Sequence, residues 1–267
     1  MVNSKWKAYF KEQRSIFFIS LKFILRPVKK ESRPIFIVGS GRSGTHFLAR
    51  TLIEAEEISD VTNGHENPAV FFRVTRSALG QRQDYSKVVS TYRKLLTICD
   101  TEFFLDQSHP NIWHVERLRK SFPDAVFIGI TRRPESVIYS MLNHSGTADW
   151  TNRWKEFSIP NKFLGITDSN LASYNNMDFI QRSAVRWKSH YERMKYLEES
   201  FPGFFLHIDY DYLAKSPVAC LSDIAGFIGL KSKIPSPEVK IESLNKWQGL
   251  SEKQIAKIRE IAGNYYE

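Results

Sequence analysis

From Pro34 onward, short apolar runs alternate along the chain with longer segments whose apolar residues recur at helical spacing. That alternation predicts an α/β fold, a single domain with a central, mostly parallel sheet flanked by helices. The runs predict strands over Ile35–Val38, Ile58–Thr62, Glu102–Leu105, Ala125–Ile130 and Phe204–Ile208. The periodic segments predict helices over Thr45–Glu56, Tyr85–Cys99, Asn111–Phe122, Pro134–Asn143, Tyr174–Ser200 and Pro217–Ile228. A last helix is expected over Ser251–Ala262, with Ser251 as its N-cap and Gly263 beyond its end. Between Asn143 and Ser173 the pattern dissolves into polar residues and three aromatics, Trp150, Trp154 and Phe157. A long irregular excursion of this kind in a compact domain reads as a lid or binding loop.

The chain divides into a basic amphipathic segment, residues 1–33, and a domain over 34–267. At 267 residues it can bury a full core as one unit. The net charge of +9 is concentrated at the start: residues 1–30 carry eight Lys and Arg (Lys5, Lys7, Lys11, Arg14, Lys22, Arg26, Lys29, Lys30) against Glu12 alone. The remainder is close to neutral, so the charge does not mark a nucleic-acid binder. The apolar run from Ile16 to Leu25 is about half of what a bilayer requires, and Lys22 interrupts it. Two readings stand for this segment: a basic amphipathic helix in peripheral contact with a membrane, or a helix packed on the protein's own surface. Cys99 and Cys220 are too few and too distant for a disulfide framework, which points to a reducing, cytoplasmic compartment.

The candidate chemistry starts at "RPIFIVGSGRSGTHF", where an apolar strand runs into a glycine-rich turn and then a helix. Gly39 and Gly44 have the spacing of a nucleoside-triphosphate loop, but Thr45 and His46 stand where that loop carries Lys and Ser or Thr. The cation lies inside the turn, at Arg42. Backbone N–H groups, the following helix N-terminus and an arginine fork still make an anion cradle. Without the lysine and the magnesium hydroxyl, one chemistry open to such a cradle without a metal is sulfuryl transfer. A second motif, "FIGITRRPESVIYSML", places Arg132 at a strand end and Ser140 on the adjoining helix, which Pro134 starts. These two side chains can grip one phosphate together, and both motifs are expected at carboxyl ends of strands in one sheet.

With these motifs the chain resembles the sulfotransferase family that uses 3′-phosphoadenosine 5′-phosphosulfate (PAPS). "GSGRSGTHF" is similar to the family's 5′-phosphosulfate loop, and Arg132 to Ser140 to its 3′-phosphate motif. The segments "FLDQSHPNIWHVERLRKSFPDAVFIGITRRP", "HIDYDYLAKSPVACLSDIAGFIGL" and "NKWQGLSEKQIAKI" extend the resemblance to the end of the chain. It implies a nucleotide-triphosphatase-like fold, PAPS as cosubstrate and no metal. It also implies that Arg42 contacts the transferred group, that Gly41, Ser43, Gly44, Thr45 and His46 complete the cradle, and that Arg132 and Ser140 hold the 3′-phosphate. Trp187, Tyr210 and Lys246 are further nucleotide-contact candidates. For the general base, Glu66 in "NGHENP" matches a catalytic glutamate of carbohydrate-type members; His65 and His109 are its competitors, and Glu66 as the cap of a helix starting near Pro68 is the structural alternative. Two departures stand out: Gln107 occupies a lysine-like position, and Asp209 replaces an arginine. The resemblance implies a sulfuryl transfer to an acceptor hydroxyl, with a glycan or glycolipid favoured. A nucleotide or sugar kinase and a non-catalytic membrane-surface binder are the rival readings.

Overall fold

The computed structural model describes residues 2–25, 32–81, 84–239, 242–263 and 265. Arg26, Lys29 and Lys30 of the basic segment lie outside the described residues. Five strands, β1 (Arg33–Gly39), β2 (Ile58–Ser59), β3 (Phe103–Asp106), β4 (Val126–Thr131) and β5 (Phe205–Asp209), form one parallel sheet in the order β2-β3-β1-β4-β5. Both faces are covered, which is why β1, β3 and β4 read as unbroken apolar runs. Side chains alternate between the faces. Ile35 and Ile37 pack with Leu48, Leu52 and Ile224 on one side. Phe36 and Val38 pack with Val70, Tyr92 and Leu197 on the other.

Every expected strand is present; the differences lie in where elements end, in one helix that is broken in two and in the added Pro68–Ala78 helix. The second strand stops at Ser59 because the Asp60 carboxylate accepts hydrogen bonds from the N–H groups of Thr62, Asn63 and Gly64, at 3.2, 2.7 and 2.6 Å. That curls the chain off the sheet edge. The helix expected over Asn111–Phe122 begins as a 3-10 turn, His109–Trp113, and becomes α-helical only at Val115–Ser121. The long helix expected over Tyr174–Ser200 is two: Leu171–Asn176 and Phe179–Ser200. Met177 closes the first, and Asp178 starts the second through a capping box with Gln181.

The 143–173 excursion is folded. A helix (Ser145–Asn152), a 3-10 turn (Trp154–Glu156) and an Asn161–Ile166 bridge enclose a small core of Trp154, Phe163, Leu164, Ile166 and Tyr174. Asn161 Nδ2 ties it to Leu79 O at 3.1 Å, at the end of the Pro68–Ala78 helix. The N-terminal helix (Val2–Leu25) lies against the Pro68–Ala78 and Tyr85–Ile98 helices, with Ile19 and Glu12 buried beneath it. Glu12 is clamped by Arg73 and Arg76, each at 3.0 Å. Among the described residues, no helix is long and apolar enough to cross a membrane.

Candidate active site

The carboxyl ends of four strands converge on one cleft, as expected for an open parallel sheet. The turn after β1 runs from Ser40 to Gly44 and opens the Thr45–Leu52 helix. Gly44 has φ +103°, and a Cβ there would lie 2.3 Å from the Tyr210 ring. Only glycine satisfies both the left-handed backbone and the close ring. A Cβ on Gly41 would sit 2.8 Å from His109 Nε2. The loop is thus wedged between an aromatic ring from beyond β5 and an imidazole from beyond β3. Arg42 itself has φ +71°, an uncommon backbone for a side-chain-bearing residue, and its Nε donates to Ser140 Oγ at 3.0 Å.

The second motif meets the first through that contact. The Arg132 guanidinium, just past β4, lies 4.4 Å above the Tyr210 ring, the same ring that abuts Gly44. One cavity of about 570 Å³ is lined by Arg42, Arg132, Ser136, Ser140 and Lys246. Arg42, Arg132 and Ser140 also line the main cavity, of about 1060 Å³. The two anion motifs therefore share one continuous site. Burial lowers the Arg132 pKa, and the nearby Arg42 and Arg133 charges lower it further, against Tyr210 and Asp211. A cluster of positive charge held this way favours an arriving anion. Ser136 Oγ is buried and makes no hydrogen bond among the described residues, which leaves a donor for such a ligand. Arg133 is engaged elsewhere, over the Trp247 ring at 4.2 Å and 3.6 Å from buried Glu135.

Opposite the glycine turn stands a polar relay. Gln107 Nε2 lies 3.1 Å from His46 Nδ1 and 3.2 Å from Gly64 O, and His46 Nε2 lies 2.9 Å from Glu66 Oε1. Nε2–H can donate to the carboxylate, with Nδ1 facing the Gln107 amide and, at 3.3 Å, the Gly64 carbonyl. Burial pushes the Glu66 carboxyl up, but the His46 hydrogen bond and the neighbouring imidazoles outweigh it, and the net shift is downward. His109 adds little of this at neutral pH, because burial drives its own imidazole down to about 3. Glu66 is therefore an ionised carboxylate on the cavity wall, able to accept a proton. His109, neutral and buried with Nε2 free of hydrogen bonds among the described residues, is the second acceptor on that wall.

The structure thus brings together Gly41, Arg42, Gly44, Thr45, His46, Glu66, His109, Arg132 and Ser140 around the main cavity. Ser43 is buried with its hydroxyl bonded to Ser40 at 2.8 Å, so its contribution to a cradle is its backbone. His65 is exposed, is not among the cavity-lining residues, and its ring lies 5.8 Å from that of His46. The helix near Pro68 exists, but Asn67 caps it, accepting from Ala69 N; Glu66 is left for His46. Trp187 is a core residue: it stacks on Tyr191, and its Nε1 donates to Arg132 O at 3.0 Å, fixing the backbone behind the arginine.

The sequence pattern described as the sulfotransferase family matches residues 85–233, more than half of the 267 residues. The chain belongs to the sulfotransferase family. Solved structures with the same fold include the sulfotransferase domain of the Synechococcus PCC 7002 olefin synthase, at 14% identity and TM-score 0.52, covering 89% of this chain and 98% of that one. Sulfotransferase STF1 of Mycobacterium tuberculosis H37Rv is similar at 16% identity and TM-score 0.52, over 88% and 77% of the two chains. An Alicyclobacillus acidocaldarius sulfotransferase matches at 15% identity and TM-score 0.50, over 86% and 96%. At these identities the likeness is one of fold. No curated protein matches the chain in sequence.

In this sulfotransferase the two sequence departures have structural explanations. Gln107 orients His46 in place of a cation. Asp209 caps the Tyr210–Lys215 helix, accepting from Asp211 N at 2.7 Å, and also accepts from Tyr265 at 2.5 Å. Sequence reasoning missed Ser136 as a site donor and the Gln107–His46–Glu66 relay. The proximity of Ser136 and Ser140 on one helix face was the legible signal for the first; nothing local signals the second.

Proposed function

We propose that the protein transfers the sulfuryl group of PAPS to an acceptor hydroxyl on a carbohydrate or glycolipid. The observation that carries this reading is the continuous site in which Arg42, Arg132, Ser136, Ser140 and Lys246 line one cavity and Arg42, from the loop cradle, reaches Ser140. A nucleotide with anions at both ends suits that spacing, with the 3′-phosphate toward Arg132, Ser136, Ser140 and Lys246. The 5′ end belongs at the backbone of Gly41 to Thr45 and the helix N-terminus. PAPS supplies an activated sulfuryl group there. Arg42 neutralises charge that grows on the oxygens in the cradle. Glu66, ionised and held by His46, accepts the proton of the acceptor hydroxyl. Tyr210 floors the site between Gly44 and Arg132.

The carbohydrate or glycolipid choice rests on the glutamate acceptor and on Trp150 and Phe157, aromatic residues of the cavity wall that suit sugar rings. A kinase reading has no observation in its favour, since Thr45 and His46 hold the positions where that loop needs Lys and a metal-binding hydroxyl. Titration calorimetry in EDTA should show adenosine 3′,5′-bisphosphate binding far more tightly than AMP; equal affinities would remove the 3′-phosphate assignment. Transfer of labelled sulfate from PAPS, screened over glycans, glycolipids and small alcohols, identifies the acceptor.

A further inference from the structure

The inner face of the N-terminal helix is committed to the fold through Glu12 and Ile19. Its outer face is not. Stepping about 100° per residue, Trp6, Phe10, Phe17, Leu21 and Ile24 fall within roughly 60° of one another, on the side opposite Ile19. All five are exposed, Phe10 to 64% and Ile24 to 77%. Lys7, Lys11, Arg14 and Lys22, also exposed, run along one flank of the stripe. A convex ridge of large aromatic and aliphatic side chains would be costly to leave in water. It is not a groove for a partner's side chain; with a cationic flank, it matches a flat, negatively charged, apolar-cored surface.

We propose that this face docks the protein on anionic lipid bilayers, with the helix lying in the interface plane. The same helix contributes Ala8 to the wall of the main cavity, beside Phe71, Phe72 and Thr75 of the Pro68–Ala78 helix. Ala8 is on the packed side of the helix, so docking leaves the cavity on the protein side, about one helix diameter from the lipid–water boundary, within reach of the headgroup of an amphiphilic acceptor. This second point rests on the sulfuryl-transfer reading; the docking itself does not.

The test is co-sedimentation of the full-length chain with vesicles of phosphatidylcholine alone or with 30% (about a third) phosphatidylglycerol, a content within the range that recruits basic helices. Binding should be at least about tenfold tighter to the anionic vesicles and should weaken at 0.5 M salt (roughly), as screened charge requires. The triple variant Trp6→Ser, Phe10→Ser, Phe17→Ser should lose about 100-fold in partitioning, while its thermal midpoint and its affinity for adenosine 3′,5′-bisphosphate stay unchanged. Failure of the wild-type chain to bind either vesicle, or equal binding by the triple variant, overturns the proposal. So does a stable dimer in sedimentation that the same substitutions dissolve, since a second copy would then be what covers the stripe. Loss of nucleotide binding with vesicle binding intact would instead count against the sulfuryl-transfer reading.

Discussion

Replacing Arg132 by Ala tests the 3′-phosphate assignment most directly. Its guanidinium is half-buried, braced on the Tyr210 ring at 4.4 Å, and shares a cavity with Ser136, Ser140 and Lys246. A charge-assisted hydrogen bond contributes about 1.5–3 kcal/mol, and a forked arginine contact in a partly desolvated site belongs in the upper half of that range. The expected loss is about 2–3 kcal/mol, or roughly 30- to 150-fold in Kd. The loss should depend on the ligand. Calorimetry with adenosine 3′,5′-bisphosphate and with AMP, on wild type and Arg132→Ala, forms a cycle whose coupling isolates the 3′-phosphate contact. Most of the loss should appear with the bisphosphate, and AMP should weaken by less than about threefold. Arg132→Lys, keeping charge but not the fork, should fall between. The thermal midpoint should change little, because the burial cost that Arg132 carries and the Tyr210 and Asp211 contacts that offset it are lost together. A variant that loses both ligands equally would refute the reasoning, for Arg132 would then be shaping the site rather than reading one phosphate.

Glu66→Gln should lower kcat by about 100- to 1000-fold with bisphosphate affinity within twofold (about), measured by labelled-sulfate transfer; a normal rate would move the base to His109. Because the His46 contact helps hold the Glu66 carboxyl below its ordinary value, His46→Ala should shift the acid limb of kcat/KM to higher pH, and an unmoved limb would disprove the relay. Acid should destabilise the fold through buried imidazoles. His109 and His114 are held neutral by burial, at about 3 and about 4 against 6.5 unfolded, so their contribution is complete above 6.5 and is lost as pH falls toward those values. Each loses about 3 kcal/mol by pH 4. Asp106, raised by burial to about 6, has the opposite sign, recovering about 2 kcal/mol over the same window. Urea midpoints should fall between pH 6.5 and pH 4 (roughly), and a rise would contradict the burial of these imidazoles. Finally, Glu12→Ala leaves Arg73 and Arg76 without their buried carboxylate and should cost about 2–4 kcal/mol, read as loss of thermal midpoint and faster proteolysis at the N-terminal helix; an unchanged midpoint would mean the clamp does not hold the helix.

The sequence by itself determined the sheet and marked the residues proposed to bind the anions. Parallel strands covered on both faces must be apolar without interruption, so Ile35–Val38 and Ala125–Ile130 announce themselves. The glycine turn with Arg42, and Pro134 opening the helix that carries Ser140, are local motifs whose chemistry survives without coordinates. Tertiary structure decided what depends on meetings between distant residues. Glu66 and His46 are joined only because Asp60 curls the chain after β2, and Gln107 reaches them from the end of β3. Trp187 was taken into the core by Tyr191 and the Arg132 carbonyl, contacts with no sequence spacing to betray them. The 143–173 stretch lacks periodicity because its small core is assembled from single side chains on short turns, not from a regular helix face. At the amino terminus, the sequence left open whether the helix packs on the protein or faces outward. Coordinates decide that its Glu12 and Ile19 side is packed, because a carboxylate can be buried only where Arg73 and Arg76 come to meet it.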